Sequence, residues 1–289
     1  VTFKMPDVAL PVIPNNVVTL TDFGVKGDGK TLCTDAFTKA MKKLSSMGGG
    51  KLEVPAGIWF TGPIQFESNI ELHTAVGALI VFTDDYDAYP MIETMFEGNT
   101  AKRRMSPLYA YNKENIAITG HGTFDGNGQA WRPVKKLKLT DAQWSALTKS
   151  GGSVEKNIWY PEIKERAFNR PVLLDFMYCK KILLKNVTFS NSPAWNVHPC
   201  ICEDVTIEGV NIKNPWFAQN GDGLDLESCK RAKIINTTFD VGDDAICIKS
   251  GKDAEGRRIG KPCEDVFISG CTVLHGHGGF VIGSEMSGG

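Results

Sequence analysis

Three short stretches near the end of the chain hold the residues whose types could do chemistry. They are Asn220-Gly221-Asp222-Gly223, Gly242-Asp243-Asp244 and Gly276-His277-Gly278, and each follows a β-rich run. Aligning the runs puts them in one frame. Asp243 and Ser250 follow Thr237-Thr238-Phe239 at the same offsets at which His277 and Ser284 follow Cys271-Thr272-Val273. Asp222 stands as far ahead of Ser228 as Asp244 stands ahead of Ser250. Asp222 and Asp244 therefore share one column of a repeat, and Asp243 and His277 share the column beside it. If each repeat is one coil of a stacked parallel sheet, neighbouring coils lie about 4.8 Å apart, and the four side chains meet on one face. Three carboxylates and an imidazole suit acid–base chemistry on a bond that must be both protonated and attacked. Gly-Asp and Asp-Asp are also ordinary turn chemistry, so the weight rests on the matching columns and not on any one motif.

The elements that would position these residues are strands. Segments 182–189, 205–212, 232–239 and 266–273 form one repeated unit, whose ends are 23, 27 and 34 residues apart. The excess in the last interval is a Gly- and charge-rich loop, 252–262. A period near two dozen, built from β-branched runs and small-residue turns, indicates an all-β solenoid, a parallel β-helix. A leucine-rich repeat needs a regular Leu and Asn ladder, which is absent. Asn186 and Asn236 match glycosylation sequons, but both are read as lying inside coil strands and so as chance matches. Earlier in the chain, strand–turn–strand patterns run from Lys51 to Phe82, followed by a less regular stretch, 83–107, with Lys102-Arg103-Arg104. Residues 130–170 are the one large interruption, with a short helix expected from Asp141 to Leu147. An excursion of that size either shapes a cleft or is solvated decoration.

Near the start, Val17 to Leu20 reads as a strand, and Gly24-Val-Lys-Gly-Asp-Gly-Lys30-Thr31 matches a phosphate-binding loop letter for letter. Leu32-Cys33-Thr34-Asp35 then intervenes before the helix, with Thr34 as the better N-cap. The strand–helix alternation that a nucleotide fold requires does not follow. The run is read as a turn. Phe37, Ala40, Met41 and Leu44 make the apolar stripe of one amphipathic helix stopped by Gly48-Gly49-Gly50. A lone helix ahead of a β array suits a cap over the solenoid's open end.

Composition narrows little. A chain of 289 residues with 42% hydrophobic content can bury a sizeable core, and a net charge of −1 says nothing about partners. No apolar run approaches a membrane span. The absence of a leader before Val1 suits a mature or trimmed product and leaves export open. None of the eight cysteines forms a Cys-x-x-Cys pair, which argues against a zinc ribbon or redox motif. They are read mainly as small buried hydrophobes, with disulfides left open.

With these motifs in order and in register, the chain resembles glycoside hydrolase family 28, the polygalacturonase family of right-handed parallel β-helix pectin hydrolases, and its bacterial members more than its fungal ones. The family's Asn-Thr-Asp-Gly appears as Asn220-Gly221-Asp222-Gly223, its Asp-Asp pair as Asp243-Asp244, and its Gly-His-Gly as Gly276-His277-Gly278. The resemblance implies metal-free, cofactor-free, inverting hydrolysis of α-linked galacturonic acid. Asp243 would be the general acid, Asp222 and Asp244 would hold and deprotonate the attacking water, and His277 would orient or tune the acid. His198 and Lys249 are weaker substrate-contact candidates; Lys249 reads equally well as a solvated coil residue, and His198 as a packed turn histidine. The expected partner is an anionic polysaccharide, with no nucleic acid or membrane, and the expected state is a secreted or periplasmic monomer. One β-helix domain spans 1–289. The family's Arg-x-Lys substrate pair, one coil after Gly-His-Gly, has no counterpart before Gly289, so the domain is expected to be incomplete at its C-terminus. A rhamnogalacturonan or exo-acting hydrolase, a lyase-like β-helix, and a non-catalytic carbohydrate-binding β-helix remain as rivals.

Overall fold

The computed structural model describes residues 5–289. Successive coils contribute one strand to each of three sheets. The first sheet runs from Val17–Thr19 to Glu264–Ser269, the second from Asp28–Leu32 to Thr272–His275, and the third from Ile64–Gln65 to Val281–Ile282. Pairing within them is parallel, and identical positions stack. Ile207 lies between Leu184 and Ile234, and Phe189, Ile212 and Phe239 follow one another. All are fully buried, because the two-residue alternation of a strand sends every second side chain into the shared interior. The fold is the parallel β-helix that the repeat predicts, of the right-handed kind that the resemblance implies.

Left-handed residues turn the corners. Asn186, Gly209, Asn236 and Gly270 occupy the same corner of successive coils with φ of 62°, 64°, 51° and 64°. Asn and Gly tolerate that region best. The two sequon asparagines therefore sit just past the strands Lys180–Lys185 and Lys230–Ile235, not within them; the corner's backbone requirement explains their presence.

A helix, Thr34–Ser46, closes the N-terminal end and places Phe37, Ala40, Met41 and Leu44 on the same core as Leu20 and Leu52. Thr34 is its first residue and not its cap: the Thr34 hydroxyl accepts from the Gly62 N–H at 2.7 Å, tying the helix to the second coil. The phosphate-loop look-alike is a turn at 24–27 that leads into a strand, Asp28–Leu32. The Asp28 carboxylate accepts from the N–H groups of Lys30 and Thr31 and from the Thr31 hydroxyl. Those bonds, that from Thr31 N–H foremost, lower its pKa to about 2. A fixed anion already occupies the donors a phosphate would need.

The large excursions leave from the corner between the second and third sheets. The stretch read as irregular is a hairpin, Met91–Phe96 paired antiparallel with Asn99–Arg104. It lies over the outer face of the third sheet: the Thr94 hydroxyl donates to Asp175 at 2.6 Å, Met95 packs with Met177, Cys200 and Ile201, and Phe96 stacks on Trp195 at 4.7 Å. The 130–170 insertion holds a small antiparallel sheet and the expected helix, Asp141–Lys149, started by a Thr140–Gln143 capping box. The 252–262 loop contains a short helix, Asp253–Ile259. The eight cysteines are free thiols, six of them buried.

Candidate active site

The three motifs occupy the corner between the second and third sheets on three successive coils. Backbone bonds lock them in register. Gly242 N–H donates to Gly221 O at 3.1 Å, Gly223 N–H to Asp244 O at 2.9 Å, and His277 N–H to Asp243 O at 2.8 Å. The glycines are there for lack of space: a Cβ on Gly223 would lie 2.5 Å from Ala245 O, and one on Gly242 2.4 Å from Pro215 O. Tight corners bring the carboxylate oxygens of Asp222, Asp243 and Asp244 within 4.8 Å of one another. His277 Nδ1 is 3.1 Å from Asp243 Oδ1. The carboxylates open on a cleft of about 370 Å³, walled also by Glu97 from the hairpin tip, Trp195, Asn220 and Lys249.

Asp222 is only 5% exposed and its Oδ1 has no partner. Burial, reinforced by Asp225 and Asp243 and opposed by Lys249, pushes its carboxyl well above the ordinary range. That direction favours the protonated form of Asp222, whereas the resemblance gives the donor role to Asp243. With oxygens this close the proton belongs to the cluster. Asp243 is more open than Asp222 and contacts the half-exposed His277.

The trio is also an arrangement able to hold a cation. So are two buried sets, His198–Cys200–Glu227 and Asp222–Asp225–Cys247. In the first, His198 is already engaged by carboxylates and burial raises the Cys200 thiol far above its usual pKa. A metal would have to displace an ion pair there.

The structure does not bring His198 to the cleft. It sits on the strand Val197–Cys200 with no exposed surface, its Nε2 2.9 Å from Glu227 and its Nδ1 3.5 Å from Asp175. Burial disfavours the charged ring, but the carboxylates of Asp175 and Glu227 beside it prevail and raise its pKa to about 10. A ring so enclosed is an internal ion-pair member and cannot touch a sugar. Lys249 does line the cleft, yet it is not a solvated residue: Nζ donates to Glu285 at 2.7 Å and to Gly283 O at 3.2 Å, with Asp225 at 3.8 Å. Burial works against its charge, and Asp225 and Glu285 more than restore it, so its pKa is raised.

Sequence reasoning missed Asp175, Asp225, Glu227 and Glu285, which with His198 and Lys249 form a buried charged ladder beneath the cleft. Alternation on Leu224-Asp225-Leu226-Glu227 marks the two acids as outward-facing. The cover comes from elsewhere, from the hairpin and the 283–289 segment. Arg103 and Arg104 anchor the hairpin to the body of the molecule. Arg103 donates to Arg170 O over the Phe96 ring, and Arg104 to Tyr89 O over Tyr86.

Among the described residues no helix is long and apolar enough to cross a membrane. Residues 51–289 match the profile of glycosyl hydrolases family 28. A probable polygalacturonase of Vitis vinifera is 33% identical over 281 residues, 94% of this chain and 52% of that protein. An exo-poly-alpha-D-galacturonosidase of Dickeya chrysanthemi is 26% identical over 294 residues, 94% of this chain and 48% of that one. The crystal structure of a hyperthermoactive exopolygalacturonase from Thermotoga maritima superposes with a TM-score of 0.82 at 39% identity, covering 97% of this chain and 65% of that chain. The chain thus spans about half the length of the curated relatives it matches. It belongs to family 28 of the glycosyl hydrolases.

Proposed function

We propose that this chain carries the catalytic centre of a hydrolase acting on α-linked galacturonate in pectic polymers. The observation that carries the reading is the convergence of Asp222, Asp243 and Asp244 within 4.8 Å at the mouth of a cleft, with His277 on Asp243. In this reading the proton shared by the cluster sits on Asp243, with Asp222 and Asp244 ionised, and Asp243 gives it to the glycosidic oxygen as the bond to the anomeric carbon breaks. A water held by Asp222 and Asp244 adds to that carbon and passes its proton to them. His277 holds Asp243 in place and favours its anionic form after transfer. Inversion is carried over from the family resemblance. The nearest oxygens of the trio, within 4.8 Å of one another, lie closer than the about 6.5–9.5 Å between carboxyl groups common in inverting enzymes. A polymeric substrate fits a secreted or periplasmic protein, and residues 1–289 are proposed to be one domain.

Reducing-sugar release from polygalacturonate tests the reading. Release is expected from the chain and should fall by about 10²–10⁴ in Asp243→Asn. A folded chain without activity on polygalacturonate or rhamnogalacturonan would sink the proposal. One observation favours exo action: Glu97 at the hairpin tip and Trp195 wall the cleft. Mono- or digalacturonate as the first product would support it, and a ladder of oligomers would oppose it.

A further inference from the structure

We propose that Trp216 and Lys138 form a second sugar-binding subsite beside the catalytic corner, with Trp216 taking the face of a pyranose ring and Lys138 the carboxylate of a uronate. Four of the six tryptophans are buried, but Trp216 is 62% exposed. It is nonetheless held. Its ring stacks on His275 with centroids 4.3 Å apart and planes 8° from parallel, and its Nε1–H donates to Asp240 Oδ1 at 2.7 Å. His275 is fixed in turn by Nδ1 against Val241 O at 2.6 Å; a carbonyl only accepts, so Nδ1 carries the proton. One face of the indole is therefore clamped and the other is open to solvent. An aromatic surface ordered before its ligand arrives loses little entropy on binding.

Its location ties it to the reaction. Asp240 and Val241, which hold the Trp216–His275 pair, lead directly into Gly242-Asp243, and the Gly242 backbone packs against Pro215 O and Ala218 N with no room for a side chain. Lys138 reaches the same corner from the insertion, its Nζ 3.4 Å from Gly242 O. The insertion's ion pair among the described residues is Lys164 with Glu155, which leaves Lys138 without a carboxylate. The same insertion holds a depression of about 590 Å³ lined by Lys135, Lys136 and Lys156 together with Asp141. A rigid aromatic face beside an unneutralised ammonium fits a sugar ring bearing a carboxylate. The further lysines continue the site for a polymer with one charge per residue. The ligand class rests on the function proposed above; the subsite itself is tested by binding.

The test is affinity electrophoresis in gels containing polygalacturonate or its fully methyl-esterified form, with Asp243→Asn as parent so that the polymer stays intact. Trp216→Ala should weaken retardation about tenfold in both gels, and Trp216→Phe should restore most of it. Lys138→Met should weaken it only on the free acid, because the ester has no charge to lose. A parent that is not retarded, or a folded Trp216→Ala that runs like the parent, overturns the subsite. Lys138→Met that binds the free acid as the parent does overturns the carboxylate contact. Failure of the hydrolytic reading looks different: no reducing sugar released by the chain with Asp243 intact, while the retardation and its loss in Trp216→Ala persist.

Discussion

Asp225 shows how a single residue can couple the cleft to the stability of the fold. It is fully buried and neither carboxylate oxygen has a hydrogen-bond partner. Burial raises its pKa from 3.8 to about 7 against the pull of Lys249 and His198. A carboxyl raised in the folded state binds its proton more tightly there than in the unfolded chain. Its stabilisation is complete below pH 3.8 and is lost as pH rises through about 7. His198, raised from 6.5 to about 10, acts in the same sense over a higher window. Thermal unfolding followed from pH 4 to 10 should therefore show a falling midpoint. Asp225→Asn should flatten the lower part, removing a pH dependence on the order of a few kcal/mol; a variant with an unchanged profile would refute the assignment. Lys249 is the counterpart. Lys249→Met strands Asp225 and Glu285 without their cation, and breaking a buried pair from one side costs about 3–5 kcal/mol. That loss should appear as a lower urea midpoint with an unchanged slope.

At the scale of elements, the coils were legible in the sequence and their covers were not. A strand that stacks on copies of itself repeats its pattern, so Phe189, Ile212 and Phe239 announce both register and burial. The columns that join Asp222 to Asp244 and Asp243 to His277 came from the same repetition. The Met91–Phe96 and Asn99–Arg104 hairpin occurs once, and its partners Asp175, Met177 and Trp195 lie far along the chain. No local pattern could reveal that it buries the outer face of the third sheet. For the same reason His198 passed for a substrate contact and Asp225 escaped notice. The hairpin also carries Glu97 to the cleft, and Phe96 holds it down between Trp195 and Arg103. Phe96→Ala removes a stacked pair worth about 0.5–1.5 kcal/mol beyond its buried area. It should free the tip while the coils stay folded. Product analysis of polygalacturonate digests should then shift toward longer oligomers; an unchanged product pattern would mean that the hairpin does not limit the cleft.

Over the whole molecule, stability in a solenoid is set by each coil's contact with its neighbours, so its two ends need not be equally firm. At the N-terminal end the Thr34–Ser46 helix seals Phe37 and Leu44 into the core with no exposed surface. At the other end Glu264–Ser269 and Thr272–His275 are the last strands of their sheets. Their side chains are half-buried to exposed, whereas the equivalent residues of Lys230–Ile235 alternate into a closed interior. Leu274 is 66% and Phe280 54% exposed. In the 289-residue chain, amide exchange read by mass spectrometry should be fastest, among strand peptides, for 264–282, and protection should rise through 224–249 to the coils around 182–212. Equal protection along the stack would refute the gradient. The consequence reaches the chemistry. Asp222, Asp243 and Asp244 belong to well-packed coils, whereas His277 follows the more exposed strand Thr272–His275 and meets Asp243 through one backbone and one side-chain contact. Conditions that loosen this coil should remove His277 from the acid before the carboxylate cluster is disturbed. Activity should then decline at denaturant concentrations below those that unfold the sheets, and by no more than His277→Ala alone removes.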